Sequence, residues 1–163
     1  MLRVLPLFLV LLLSCTATTA HESHLTFVAD HSAERVALKQ AHDLVQFARV
    51  ELNLKLDWSD ASIARIEEVA SDLHGDYRRD KTAFAELDPL LQRLGSYVGE
   101  VFRRNHGGVW GFVHVNGKRI LAVKAKDNGA VLWPIERVRQ RIRGGATNNV
   151  WTYYQAHAAL ALR

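Results

Sequence analysis

The sequence predicts an α+β fold with N-terminal helices, a three-stranded antiparallel meander and C-terminal helices. Three observations carry this expectation. Apolar residues recur at spacings of three and four in stretches between Ala33 and Phe102. Alternation replaces that period after Gly108, around the pair Asn116-Gly117. Helical spacing then returns at Pro134.

The N-terminus, MLRVLPLFLVLLLSC, carries Arg3 and then an apolar run from Val4 to Leu13. That run is shorter than the ~20 apolar residues a membrane-spanning helix needs, but it suits the hydrophobic region of a secretory signal. Leu12-Leu13-Ser14-Cys15 resembles the bacterial lipobox, whose cysteine is acylated and becomes the new N-terminus; several acyl chains, at about 0.8 kcal/mol per buried methylene, hold a folded domain on a bilayer. The expectation is therefore a lipoprotein signal over residues 1–14, lipidation at Cys15, a tether over residues 15–31 and a single domain over residues 32–163. Thr16 after the cysteine, by resemblance to lipoprotein sorting, implies the periplasmic face of the outer membrane. Ordinary cleavage after Ala20, which would release a soluble periplasmic protein, is the alternative. Cys15 is the only cysteine, so no disulfide can hold the fold and no cysteine nucleophile serves it.

Ser32 is placed to cap a first helix from Ala33 to about Leu52, with Leu38, Ala41, Val45, Ala48 and Leu52 along one face. Ser59 suits the cap of a second helix, with Asp60 in its first turn, where the helix dipole favours acid. Ile63, Ile66, Val69, Ala70 and Leu73 line that helix and Gly75 ends it. GDYRRDKTAF reads as a loop or short irregular helix. Asp88-Pro89 opens a third helix with Leu91, Leu94, Val98, Val101 and Phe102 inward, and His106-Gly107-Gly108 stops it. Gly95 and Gly99 in its interior cost about 1 kcal/mol each relative to alanine, which calls for close approach of another backbone, expected to be the sheet. Strands Val109–Val115 and Arg119–Ala125 flank Asn116-Gly117, whose residues both accept positive φ. A turn at Asp127-Asn128-Gly129 leads to a short strand from Ala130 to Trp133. Pro134 opens a helix to about Arg143, Gly144-Gly145 ends it, and Thr147 or Asn148 opens the last helix.

Residues 94–110, LGSYVGEVFRRNHGGVW, resemble a bacterial pattern of Leu-Gly-x-Tyr-x-Gly-Glu followed by Gly-Gly-x-Trp, found in the domain of unknown function numbered 3806. The likeness runs over about residues 57–158 and marks Gly95, Tyr97, Gly99, Glu100, Gly107, Gly108 and Trp110 as a structural motif. It implies one compact domain and brings no reaction, ligand or catalytic residue. A buried Glu100 requires a cationic or hydrogen-bonding partner, for which Arg103, Arg104 and Arg137 are candidates.

Charge is uneven. Residues 16–88 hold 8 Lys or Arg against 14 Asp or Glu, whereas residues 89–163 hold 12 against 3. Either the halves attract one another or the basic half meets an anionic partner. The run RVRQRIR brings Arg137, Arg139, Arg141 and Arg143 onto one helix near Trp110 and Tyr153, residue types that anchor protein interfaces. These six are the expected partner-binding residues. The partner is expected to be a protein, a toxin or an envelope component, with membrane contact through the lipid and no nucleic acid.

No Gly-x-Ser-x-Gly elbow, phosphate-cradling loop or His-Glu-x-x-His is present. His21, His24 and His31 lack the ordered spacing of a zinc site, so neither metal nor cofactor is expected. The expected function is non-catalytic binding, with immunity against an exported toxin as one concrete form. The alternatives are an envelope enzyme or peptidoglycan-binding module using Glu100, His106 and His114, and an envelope scaffold component with a large exposed apolar patch.

Overall fold

The computed structural model describes residues 25–80 and 84–161. The chain runs β1 (Thr26–Ala29), α1 (His31–Glu51), α2 (Ser62–Asp80), α3 (Phe84–His106), β2 (Gly108–Val115), β3 (Lys118–Ala125), β4 (Val131–Leu132), α4 (Pro134–Gly144), a 3-10 turn (Gly145–Asn148) and α5 (Val150–Ala161). This is an α+β fold. Cys15, Ala20, His21 and His24 lie outside the described residues.

The sheet has four antiparallel strands in the order β1-β2-β3-β4, not the three of a meander that follows the helices. The added strand lies where a tether was expected through residue 31. It pairs Thr26 to Ala29 with His114 to Gly111, at a sheet edge. Gly111 makes room for it: a Cβ there would stand 2.2 Å from the Val28 carbonyl oxygen. Asp30 follows directly and caps α1, accepting from the backbone N–H groups of Ser32 at 2.8 Å and Ala33 at 3.1 Å. Ser32, the residue expected to cap, instead donates its hydroxyl to the same carboxylate.

Two boundary signals, a stop at Gly75 and a start at Asp88-Pro89, proved weaker than the packing around them. α2 continues through Gly75 to Asp80, and α3 begins at Phe84 rather than at Pro89. Tyr77 and Phe84 meet edge to face at 5.7 Å across the join, which gives both helix ends an apolar contact. Pro89 removes a single N–H donor near the start of α3, where the affected carbonyl belongs to exposed Ala85.

α3 is the centre of the molecule, buried without interruption from Leu94 to Phe102. Against it lies the small-residue stripe Ala33, Ala37, Ala41, Leu44 and Ala48 of α1. The sheet contributes Trp110, Val123, Ala125 and Leu132 to the same core. The hairpin between β2 and β3 turns at Asn116 (φ 48°) and Gly117 (φ 71°), the two-residue turn its sequence signals. Gly95 does admit another backbone, but it belongs to α4: a Cβ on Gly95 would stand 2.3 Å from the Ile135 Cα. Gly99 accommodates the Trp110 ring and Pro134.

The acidic and basic halves are stitched together by ion pairs. Glu34 pairs with Arg103, Asp30 with Arg119, Glu67 with Arg141 and Asp88 with Arg139. Intramolecular complementarity therefore absorbs much of the charge asymmetry.

Candidate functional site

Glu100 is fully buried on α3. Arg103, one turn on, donates from Nε at 2.8 Å and Nη2 at 2.9 Å, and Arg104 donates from Nε at 2.8 Å. The Trp110 indole adds a fourth bond at 3.3 Å. Burial alone would raise the Glu100 pKa, but the bonds from Arg103 and Arg104 outweigh it and hold the carboxyl below its ordinary value. The result is an ionised carboxylate whose acceptor sites are occupied from within the chain. Trp110 is 1% exposed and pinned by this bond, so its expected place on a partner surface is corrected to the core. Gly107 adopts φ 73° and closes the helix, its N–H bonded to the Arg103 carbonyl at 3.1 Å, before Gly108 enters β2.

Glu100, His106 and His114 do not converge. His114 is exposed on β2, opposite Thr26 and Arg119. His106 bonds Asp60 through Nε2 at 2.9 Å and packs on Phe102 at 5.2 Å. Asp60 lies before α2, which starts at Ser62, and accepts from the Tyr154 hydroxyl at 2.5 Å and from Asn105 Nδ2 at 2.7 Å. Burial pushes the Asp60 pKa up, yet the bonds from Tyr154 and Asn105 and the nearby His106 bring it below the ordinary value. The Tyr154 hydroxyl is pushed up by burial and by Asp60, so it remains a donor.

Beside this group, Trp58 holds φ 65°, a costly conformation for a bulky residue. Its contacts on several sides impose it. The N–H donates to the Tyr97 hydroxyl at 3.0 Å, the carbonyl accepts from Asn105 at 3.0 Å, and the Arg104 guanidinium covers the ring at 3.8 Å. Tyr97 in turn bonds Ser62 at 2.7 Å, and Ser62 donates to the Ser59 carbonyl at 2.6 Å. Tyr97→Phe leaves the Trp58 N–H without its acceptor inside the fold and removes one of the two bonds of the Ser62 hydroxyl, which keeps the Ser59 carbonyl. The expected loss is about 1–2 kcal/mol of unfolding free energy in urea denaturation, and an unchanged midpoint would contradict it.

The four arginines of α4 separate by environment instead of forming one basic face. Arg141 is 4% exposed and donates to Glu67 at 2.7 Å, while the second Glu67 oxygen accepts the Val150 N–H at 2.7 Å. It ties α2, α4 and α5 together and is removed from the partner-binding set. Arg139 pairs with Asp88 at 2.8 Å and lines a cleft of about 260 Å³ with Gln92, Phe112 and Arg119. Arg143 is exposed and lies over Phe84 at 3.8 Å.

Arg137 differs from these. It is half-buried, lies over the Tyr153 ring at 4.3 Å and reaches the Asn148 side chain at 3.4 Å. Among the described residues no carboxylate pairs with it, and its Nε, shielded from solvent, has no acceptor; neither does the shielded Trp133 Nε1 beside it. The Tyr153 hydroxyl accepts the Trp133 backbone N–H at 2.8 Å, which fixes the ring as a floor. A cleft of about 390 Å³ opens here, lined by Arg137, Thr147, Asn149, Thr152 and Tyr153 among others. Of the six expected partner-binding residues, Arg137 and Tyr153 share this cleft.

Residues 78–154 match the family described as domain of unknown function (DUF3806). This segment is a DUF3806-like domain. No curated protein matches the sequence. A crystal structure from Bacteroides thetaiotaomicron VPI-5482 is similar in fold, with a TM-score of 0.59 at 14% identity, over 83% of this chain and 48% of that one. This chain thus spans about half the length of that protein.

The matched segment contains Glu100 with its arginines, Trp110, and the whole Arg137–Tyr153 pair; β1, α1, Trp58 and Asp60 precede it. The acid response of the fold follows from its lowered carboxyls, Glu100 and Asp60 in the clusters described above, with Asp30, Asp43, Asp57 and Asp88 lowered as well. A group whose folded pKa lies below its unfolded value, ~4 for these residues, stabilises the fold above that value and ceases to do so as pH falls through the folded pKa. Glu100 and Asp60 both act in this direction. Unfolding midpoints should therefore fall steeply below about pH 4, and the fall should be shallower in Asp60→Asn. A variant with an identical acid limb would remove Asp60 from this account.

Proposed function

We propose that this chain is a non-catalytic binding domain, anchored through lipid on Cys15 to the periplasmic face of the outer membrane, which takes an anionic group of its partner between Arg137 and Tyr153. The observation that supports this reading is the state of Arg137: half-buried, laid on an aromatic floor, and without a carboxylate among the described residues. Arg103, Arg104, Arg119, Arg139 and Arg141 all have acidic partners within the chain. A buried or half-buried guanidinium ordinarily has one too, so an acceptor from outside fits here. Neutralising an exported toxin at the membrane is one concrete role, and tethering would concentrate the binder where such a toxin arrives.

The enzyme or peptidoglycan-binding alternative needs Glu100, His106 and His114 around one pocket, and these residues occupy separate places with Glu100 fully engaged. The scaffold alternative needs a broad apolar patch. Among the described residues the exposed large apolar side chains are Leu25, Val28, Val36, Val50, Leu52, Val109 and Leu160, distributed over β1 and the residue before it, α1 and the residue after it, β2 and α5.

Intact mass of the native product tests the anchor: a chain beginning at Cys15 with fatty acids is expected, and one beginning at His21 without them refutes it. Co-expression with the exported toxin of a neighbouring gene tests the role. Protection that Arg137→Gln abolishes is expected. No protection, together with no partner recovered from envelope extract, overturns the binding reading.

A further inference from the structure

Among the described residues four side-chain nitrogens are shielded from bulk solvent without a hydrogen-bond partner: His106 Nδ1, Arg141 Nη1, Trp133 Nε1 and Arg137 Nε, of which only the last two belong to residues that line one recess. A buried donor left unpaired is costly, so such groups are ordinarily met by water or by a ligand. Trp133, Arg137 and Tyr153, with Glu136 and Gln140, line a recess of about 30 Å³. That is room for one water molecule or one ligand oxygen. Arg137 and Tyr153 also line the cleft of about 390 Å³, together with Ala146, Thr147, Asn149 and Thr152. Its size falls at the small end of ligand sites.

Resting on the proposed binding role of Arg137, we infer that this site takes the terminal carboxylate of a short peptide segment, with one oxygen in the recess and the peptide body in the larger cleft. The planar fork of a guanidinium matches a planar carboxylate through two parallel N–H bonds. A recess for a single oxygen admits that flat group more readily than a tetrahedral phosphate, whose oxygens spread in three dimensions. Glu136 lines the recess too, but its carboxylate is turned to Arg139 Nη1 at 3.8 Å. Tyr153 cannot swing away without breaking its bond to the Trp133 N–H. Thr147, Asn149 and Thr152 offer polar groups to a peptide backbone, and Ala146 and Ala156 leave space for it.

The test follows the indole N–H signal of Trp133 and the Nε–H signal of Arg137 by NMR in the purified protein. N-acetyl-trialanine with a free carboxylate is titrated against the same peptide as its C-terminal amide, and against inorganic phosphate. Saturable shifts with the acid are expected, at an affinity at least about tenfold above that of the amide and of phosphate. Arg137→Gln should lose that preference. Thr152→Trp, an exposed site on the cleft wall that leaves Arg137 in place, should block the acid peptide and guards against a misfolded Arg137 variant. Equal binding of acid and amide, or tighter binding of phosphate, overturns the carboxylate inference while leaving Arg137 a binding residue. Signals unmoved by all three probes would mean water fills the recess, and would overturn both this inference and the role of Arg137 proposed above.

Discussion

Glu100→Ala is expected to lower the unfolding free energy by about 3 kcal/mol, read from urea denaturation with the m-value unchanged. The substitution removes the carboxylate that accepts from Arg103, Arg104 and Trp110 together. Breaking a buried ion pair costs about 3–5 kcal/mol when the remaining charge stays buried. Here the side chains of Arg103 and Arg104 are 29% and 30% exposed, so both cations regain some water and the lower end of the range applies. The Trp110 indole has no such relief, because its residue is 1% exposed. Glu100→Gln keeps the volume and an acceptor oxygen but loses the charge, and should cost about half as much. If Glu100→Ala unfolds within 1 kcal/mol of the parent, the carboxylate is not what joins α3 to β2.

This cluster also shows what the sequence makes legible. Glu100, Arg103 and Arg104 fall within one helical turn, so their pairing follows from helical geometry once burial of the middle of α3 is accepted. The Asn116-Gly117 turn is equally local, as its backbone angles depend on two residues. β1 is different. Four residues give no readable alternation, and its partner strand begins some eighty positions later. The Asp60 group joins residues 45 and 94 apart in the chain, and nothing near Asp60 announces Asn105 or Tyr154. For α4, the charge pattern reads as a solvated face. Glu67, 74 residues earlier, turns Arg141 into a buried tie; Arg137 and Arg143 both lack a carboxylate among the described residues, and half-burial over Tyr153 sets Arg137 apart from exposed Arg143.

A methyl group placed on α3 separates helix propensity from packing. In an exposed helix interior Gly→Ala stabilises by about 1 kcal/mol. Gly75→Ala in α2 should approach that gain, since the nearest atom a Cβ would meet is the mobile end of Arg79 at 4.0 Å. Gly95→Ala should do the opposite, with a net loss of about 3 kcal/mol by thermal or urea unfolding. A Cβ there would lie 2.3 Å from the Ile135 Cα and 2.7 Å from its backbone nitrogen. No rotamer change relieves a clash with backbone, so α4 must shift as a body. Its first turn is joined to Trp133 and carries Arg137, so the shift reaches the cleft: Gly95→Ala should also weaken whatever binds between Arg137 and Tyr153, although residue 95 lines no part of it. A Gly95→Ala protein as stable as its parent would mean that α4 does not rest on α3 at this distance, and the placement of Arg137 would lose its support.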